Sequence, residues 1–260
     1  MDLDRGRMVE INKRHWDTVA GQDWSAKRDE YTSIARDPDL YLREHEFMLY
    51  PYLEGVCGSR VIVLQFGSAH VLLACALKGA RVTGVDISST NVRLARKALR
   101  LCHATARLVE ADCQNLPPSI PRSYYDFAVA ECGVLIWISD LGAWMRNAHA
   151  VLRDEGVLLV QDFHPVSCIA RDFRVKAGGD RTVILERSYL DQSPKYLEPE
   201  GRPPCVNFTW RLSDVLNAAI DAGFAVRRLE EFYDRPDEES NLIPNKYLLV
   251  ASKSAQIHPG

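Results

Sequence analysis

Residues 61–88 read VIVLQFGSAHVLLACALKGARVTGVDIS. The apolar run VIVLQF has the pattern of a strand buried on both faces. A short turn follows, then a helical apolar pattern over HVLLACALKG that stops at Gly79, then a second strand that ends in the acid Asp86. A turn of this kind brings backbone close to a ligand, so small residues belong there. Laid on the usual Gly-x-Gly-x-Gly spacing, Gln65 replaces the first glycine and Ala69 the third, and Gly67 alone matches. Ala69 adds one methyl at the start of a helix. Gln65 adds a long polar side chain that can bond a ligand or the N-terminal helix. The helix after the turn still aims its free N–H groups at the site.

Outward from this stretch the alternation continues. Residues 90–102 form a helix that Ser88 or Ser89 can cap, 106–112 a strand, 113–123 a proline-rich loop and 124–132 a strand. A helix is predicted over 139–156 from a Ser139-Asp140 cap, and a strand over 157–165. Repeated strand and helix predict a doubly wound, mostly parallel α/β sheet with helices on both faces. Residues 164–210 break the rhythm with proline and aromatic residues and predict a small antiparallel insert, with strands at 182–190 and 205–212. A capped helix over 213–224 and an antiparallel pair, 225–234 with 246–253, close the chain. Upstream, residues 8–21 and 37–53 have helical periodicity, with Gly21 a stop for the first and Asp37-Pro38 a start for the second. The chain thus divides into a helical cap over 1–54 and a ligand-binding domain over 55–260, with a lid insert at 164–210.

The chain has 260 residues, 47% hydrophobic and 26% charged, with a formal net charge of −3. That balance is globular. It lacks the basic excess of a nucleic-acid surface, so no nucleic-acid partner is expected. No apolar run reaches the roughly 20 residues of a membrane span, and residues 1–16 hold no apolar leader, so neither membrane nor secretion signal is expected. The seven cysteines show no CxxC spacing; Cys75 and Cys132 read as small core residues. A reducing, cytoplasmic setting, no metal site, and a monomer or homodimer are the expectations.

In an open parallel sheet, ligands lie beyond the carboxyl ends of the strands, where strand order switches. The residues there are Gln65, Phe66, Gly67, Asp86, Ile87, Asp112, Cys113, Glu131 and residues 162–164. Asp86 can accept from the cis-diol of a ribose, Ile87 can cover a purine face, and Asp112 can accept from an exocyclic amine. Each acid alone reads as an ordinary solvated strand end; together they fit one adenosine. Glu131 ends an apolar strand and can bind an ammonium group or act as a base, or be a plain ion-paired residue. His164 can act as a base, although Pro165 beside it points to a turn. Tyr189 can reach over the pocket from the insert or pack in the core. Trp16, Trp24, Tyr31 and Tyr41 precede the sheet and can form a lid that excludes water and offers cation–π contact. Trp137 can line a pocket or pack.

The segments RVTGVDIS, LVEADCQNLP and 124–165 resemble the strand motifs of the class I S-adenosylmethionine (SAM)-dependent methyltransferases, with Asp154-Glu155-Gly156 where that family usually has Pro-Gly-Gly. The resemblance covers roughly residues 55–253. NKRHWDTVA is similar to the cap helix of a small-molecule subgroup that carries a Leu-Gln turn, as Leu64-Gln65 does here. The resemblance implies a Rossmann-like seven-stranded sheet with an antiparallel last strand. It also implies SAM as cofactor, S-adenosylhomocysteine as product, and a small-molecule acceptor. Gln65, Phe66, Gly67, Asp86, Ile87, Asp112, Cys113, Glu131, Trp16 and Tyr31 are the expected cofactor contacts, and Glu131, His164 and Tyr189 the expected catalytic residues. Two rivals stand beside this reading. One is a SAM-binding enzyme that closes the cofactor's aminobutyryl group onto its own amine and releases methylthioadenosine. The other is a non-catalytic binding module, against which Asp86 and Asp112 argue.

Overall fold

The computed structural model describes residues 4–20, 24–175, 181–233 and 242–254. Four helices come first: α1 (Arg5–Val19), α2 (Trp24–Arg36), α3 (Pro38–His45) and α4 (Tyr50–Leu53). The alternating part holds β1 (Arg60–Leu64), α5 (His70–Leu77), β2 (Arg81–Asp86), α6 (Ser89–Leu101), β3 (Arg107–Glu110), β4 (Tyr125–Glu131), α7 (Leu141–Val151) and β5 (Leu152–Phe163). Then come α8 (Pro165–Cys168), β6 (Ala170–Val175), β7 (Arg181–Leu185), β8 (Lys195–Leu197), β9 (Cys205–Asn207), α9 (Leu212–Asp221), β10 (Phe224–Phe232) and β11 (Lys246–Lys253).

Seven strands form one sheet in the order β10-β11-β5-β4-β1-β2-β3, with β11 antiparallel to both its neighbours. The β1–β2, β2–β3, β1–β4 and β4–β5 pairs are parallel. Strand order therefore switches between β1 and β4, and the crevice opens there. The apolar run of β1 serves two cores. Val61 and Val63 join the layer under α5 and α6, and Ile62 and Leu64 join the layer under α7 and α9. Burying each such side chain stabilises the fold by about 1.5–3 kcal/mol. Gly84 in β2 lets the first layer close, because a Cβ there would lie 2.7 Å from the Phe66 ring and against Leu72.

The N-terminal helices share that layer. Tyr31, Ile34, Leu42, Leu49 and Leu53 lie in the same buried cluster as Val71 and Leu72. Asp37 caps α3 through Leu40 N–H, as its position predicts. The pattern over 37–53 is broken at Glu46, however, and α4 is a separate turn of helix. The helix predicted over 139–156 stops at Val151; its last residues already belong to β5, because Tyr125 and Leu152 pair across the sheet. The insert forms two separate ribbons, β6–β7 and β8–β9, each antiparallel. The Gly21 stop lies outside the described residues.

Candidate functional site

At the carboxyl ends of β1, β2 and β4 lies a cavity of about 560 Å³. Its floor is the β1–α5 turn. Gln65, Gly67 and Ala69 have φ of 55°, 47° and 63°. The backbone has the alternating left-handed shape of a glycine-spaced turn although only the middle residue is glycine. For the two others that shape costs about 1–2 kcal/mol each, which surrounding contacts must offset. For Gln65 the contacts are visible. Its side-chain amide donates to the Val134 carbonyl at 3.1 Å and accepts from the Trp144 indole at 2.9 Å. Gln65 thus ties the turn to the β4–α7 loop and to α7. A bond from it to the N-terminal helix, one of the two expected partners, is not the arrangement found.

Gly67 faces open space, since a Cβ there would meet nothing closer than the Gln65 carbonyl at 4.0 Å. The turn is held from below by Asp86, whose Oδ2 accepts from Gly67 N–H at 2.9 Å and whose Oδ1 accepts from Ser88 N–H at 2.8 Å and from the Asn91 amide at 3.2 Å. Burial raises the Asp86 pKa, and these three donors act against that rise. A carboxylate offers about four lone-pair sites. Oδ2 therefore keeps capacity for another donor, and Asp86 lines the cavity beside Ile87 and Asn91. Asp112 and Cys113 line the same end, Asp112 accepting from Gln114 N–H at 2.9 Å. An open glycine backbone, a carboxylate with an unused lone pair and a second acceptor beyond it fit the nucleoside part of the cofactor.

The opposite end is built by residues from further apart in the chain. Glu131 lines the cavity with Tyr41, His45 and Glu46. Glu46 is buried and accepts from Gln161, a buried polar residue of β5. The Glu131 pKa is pushed up to about 8, first by burial, then by the Glu46 carboxylate, with Lys246 acting in the opposite sense. Asp162 lies beneath, accepting from Leu135 N–H and Phe163 N–H at 2.7 Å each; burial raises its pKa to about 6. It anchors the β4–α7 loop. Cys132 differs from the core role expected of it: it is exposed and lines the cavity. Burial of its sulfur, with Glu131 adjacent, pushes its pKa up to about 12, so it stays a thiol.

Over the top lies α1. Trp16 lines the cavity and meets the Trp137 ring edge-on, centroids 5.1 Å apart. Tyr41 also faces the cavity. Tyr31 does not. It is buried under the turn, where its hydroxyl donates to the Ser68 carbonyl at 2.8 Å, because α2 packs against α5 and α6. The Trp24 side chain lies outside what is described. His164 also stands apart from the cavity. Its Nδ1 accepts from Val166 N–H at 3.1 Å, and its Nε2 therefore carries the proton and faces Glu231 at 2.6 Å. Capping of α8 and the hydrogen bond from Nε2–H to Glu231 account for it, and no ring nitrogen is left for a base. Tyr189 caps α9, its hydroxyl accepting from Leu212 N–H at 3.2 Å. Among the described residues of the 164–210 insert, none lines the cavity. The insert grips α1 from behind: Asn12 exchanges two hydrogen bonds with Val206, 2.8 and 2.9 Å, and His15 contacts the Pro203 carbonyl.

Sequence reading missed His45, Glu46, Gln161 and the polar face of α1. Gln161 gave a signal, as a polar residue inside an otherwise apolar strand. Among the described residues no helix is long and apolar enough to cross a membrane, and no group of three His, Cys, Asp or Glu is arranged to hold a metal.

A family model described as a methyltransferase domain matches residues 64–160. A ubiquinone biosynthesis O-methyltransferase of Bradyrhizobium sp. (strain ORS 278) is 26% identical over 108 residues, 42% of this chain and 41% of that one. The aligned part thus spans about two fifths of this curated relative. A SAM-dependent methyltransferase from Mesorhizobium loti superposes with TM-score 0.64 at 25% identity, covering 79% of this chain and 97% of that chain. A Listeria monocytogenes protein named for the same family shares the fold, superposing with TM-score 0.64 at 17% identity over 79% and 98% of the two chains.

Proposed function

We propose that the chain is a SAM-dependent methyltransferase of the class I family and that it methylates a small molecule held in the cavity beneath α1. The observation that carries the reading is the single cavity with two unlike ends. One end has the open Gly67 backbone, Asp86 and Asp112; the other has Glu131, Glu46 and Tyr41. Bound SAM supplies an electrophilic methyl group, and its transfer is an in-line displacement that depends mainly on proximity and orientation.

The chain's own residues then have separable tasks. Asp86, Ile87, Asp112 and Cys113 hold the nucleoside, and the Gly67 turn lets backbone approach it. Trp16 and Trp137 exclude water above the reacting centre. Glu131 has a pKa near neutrality, which suits a group that takes a proton from an acceptor hydroxyl or amine as the methyl arrives. A small-molecule acceptor is supported by Glu30, Ser33, Tyr41 and His45 of α2 and α3, which line the far end of the cavity. An oxygen acceptor is the chemistry in the name of the curated relative; nitrogen and carbon acceptors meet the same geometry.

The test is mass spectrometry of the nucleoside product. The protein is incubated with SAM alone and with a panel of phenols, amines and enols. S-adenosylhomocysteine that appears only with an acceptor is the expected result. Methylthioadenosine released from SAM alone would overturn methyl transfer in favour of cyclisation of the cofactor.

A further inference from the structure

Helix α1 is joined to the nucleoside end of the cavity by a chain of hydrogen bonds. Asp17 Oδ1 accepts from the Ser88 hydroxyl at 2.8 Å, the Ser89 hydroxyl at 3.1 Å and Thr90 N–H at 3.2 Å. Ser88 N–H donates to Asp86, and Asp86 accepts from Gly67 N–H. One turn earlier on α1, the Lys13 ammonium donates to the Ile87 carbonyl at 2.7 Å and pairs with Glu110 at 2.6 Å. Two residues of α1 therefore grip, from outside, the segment 87–90, whose neighbour Asp86 holds the turn from inside.

Beside the ring contacts of His15 and Trp16 with Trp137, polar contacts hold much of the helix. Its buried residues are Asn12 and His15, and its remaining side chains are half-buried or exposed. An element with few buried apolar contacts sits at the low end of local stability and opens readily. Yet α1 roofs the cavity through Val9, Asn12 and Trp16. A ligand at Asp86 has to pass it, and α1 has to close again for Trp16 to cover the site.

We infer that Asp17 and Lys13 are positioning residues that couple closure of α1 to occupancy of the nucleoside site. The coupling runs through Ser88 and Ile87 to Asp86. This rests on the reading that Asp86 faces the cofactor's ribose. Coupling is reciprocal: if a docked α1 strengthens cofactor binding, cofactor binding must strengthen docking of α1 by the same factor. All three Asp17 contacts fall on one oxygen, so asparagine keeps an acceptor for each of them and alanine keeps none.

The experiment combines calorimetry with S-adenosylhomocysteine and hydrogen exchange of the α1 amides. In the wild type the ligand is expected to slow exchange across α1. Asp17→Ala, which removes three hydrogen bonds to a charged group, is expected to weaken binding at least about tenfold, and to abolish the slowing in α1 while sheet amides remain protected. Lys13→Met, a change at a partly exposed side chain that leaves the fold intact, is expected to weaken binding about fivefold by removing its bond to the Ile87 carbonyl. Asp17→Asn is expected to restore most of the affinity. Glu10→Ala, at an exposed α1 residue whose ion-pair partner is its helix neighbour Arg14, is expected to change nothing. Wild-type affinity in both Asp17→Ala and Lys13→Met, or α1 exchange indifferent to ligand in the wild type, overturns the coupling and leaves the cofactor reading standing. A wild type that does not bind S-adenosylhomocysteine removes both.

Discussion

The two ends of the parallel sheet hold carboxylates in opposite conditions. At the amino end, Asp126 of β4 accepts from Arg60 N–H at 2.7 Å, from the Arg60 guanidinium at 3.1 Å and from Arg153 Nε at 2.6 Å. Burial works against its ionisation, but the two arginines outweigh burial and hold it well below the usual carboxylate range. At the carboxyl end, Asp86, Glu131 and Asp162 are all pushed up, with burial the leading cause for each. At the amino end two arginines compensate the desolvation of a half-buried carboxylate; at the carboxyl end burial outweighs the hydrogen bonds that favour ionisation. Acids left above their ordinary range mark the end where a ligand or a proton is handled.

The contrast can be broken in order of expected effect. Asp86→Ala removes the acceptor of the nucleoside and of Gly67 N–H together. Affinity for S-adenosylhomocysteine is expected to fall at least about a hundredfold in calorimetry, with the fold retained by circular dichroism. Unchanged affinity would make Asp86 a turn brace and nothing more. Asp126→Ala should do the reverse, leaving that affinity within error. It should cost about 2–3 kcal/mol in urea unfolding, below the value for a fully buried pair because Arg153 is 43% exposed. The smallest effect is in pH dependence. The folded-state pKa of Glu131 is raised, so its stabilising contribution is full below 4.5 and is lost as pH rises through about 8. That of Asp126 is depressed, so its contribution is present above 3.8 and is lost as pH falls toward the folded value. Glu131→Gln should therefore flatten the fall in melting temperature between about pH 4.5 and 8 and leave the limb below pH 3.8 untouched. A loss confined to the acid limb would put Glu131 in the same class as Asp126.

The Gly67–Asp86 end of the cavity was legible because its signals are local. A turn and an acid nineteen residues on are fixed by one strand-helix-strand unit, whose apolar pattern is strong. The far end was not, because its contacts join Glu46 to Gln161 and Asn12 to Val206, pairs that no periodicity connects. His164 and Tyr189 were misread for a related reason. Position after a strand, or in an insert, does not say where a side chain points, and both serve as helix caps. The 37–53 pattern also misled, since Glu46 carries the helical spacing yet leaves the helix to meet β5.

The three left-handed residues of the β1–α5 turn bear on the order of folding. A glycine turn can take its shape while the chain around it is still unstructured. Gln65 gains from that shape only when Val134 and Trp144 have arrived, 69 and 79 residues further along the chain. The cofactor turn therefore sets late, after β4 and α7 have docked, and loosens first when they part. Truncating Gln65 to alanine should accelerate unfolding while leaving the refolding rate nearly unchanged in stopped-flow measurements.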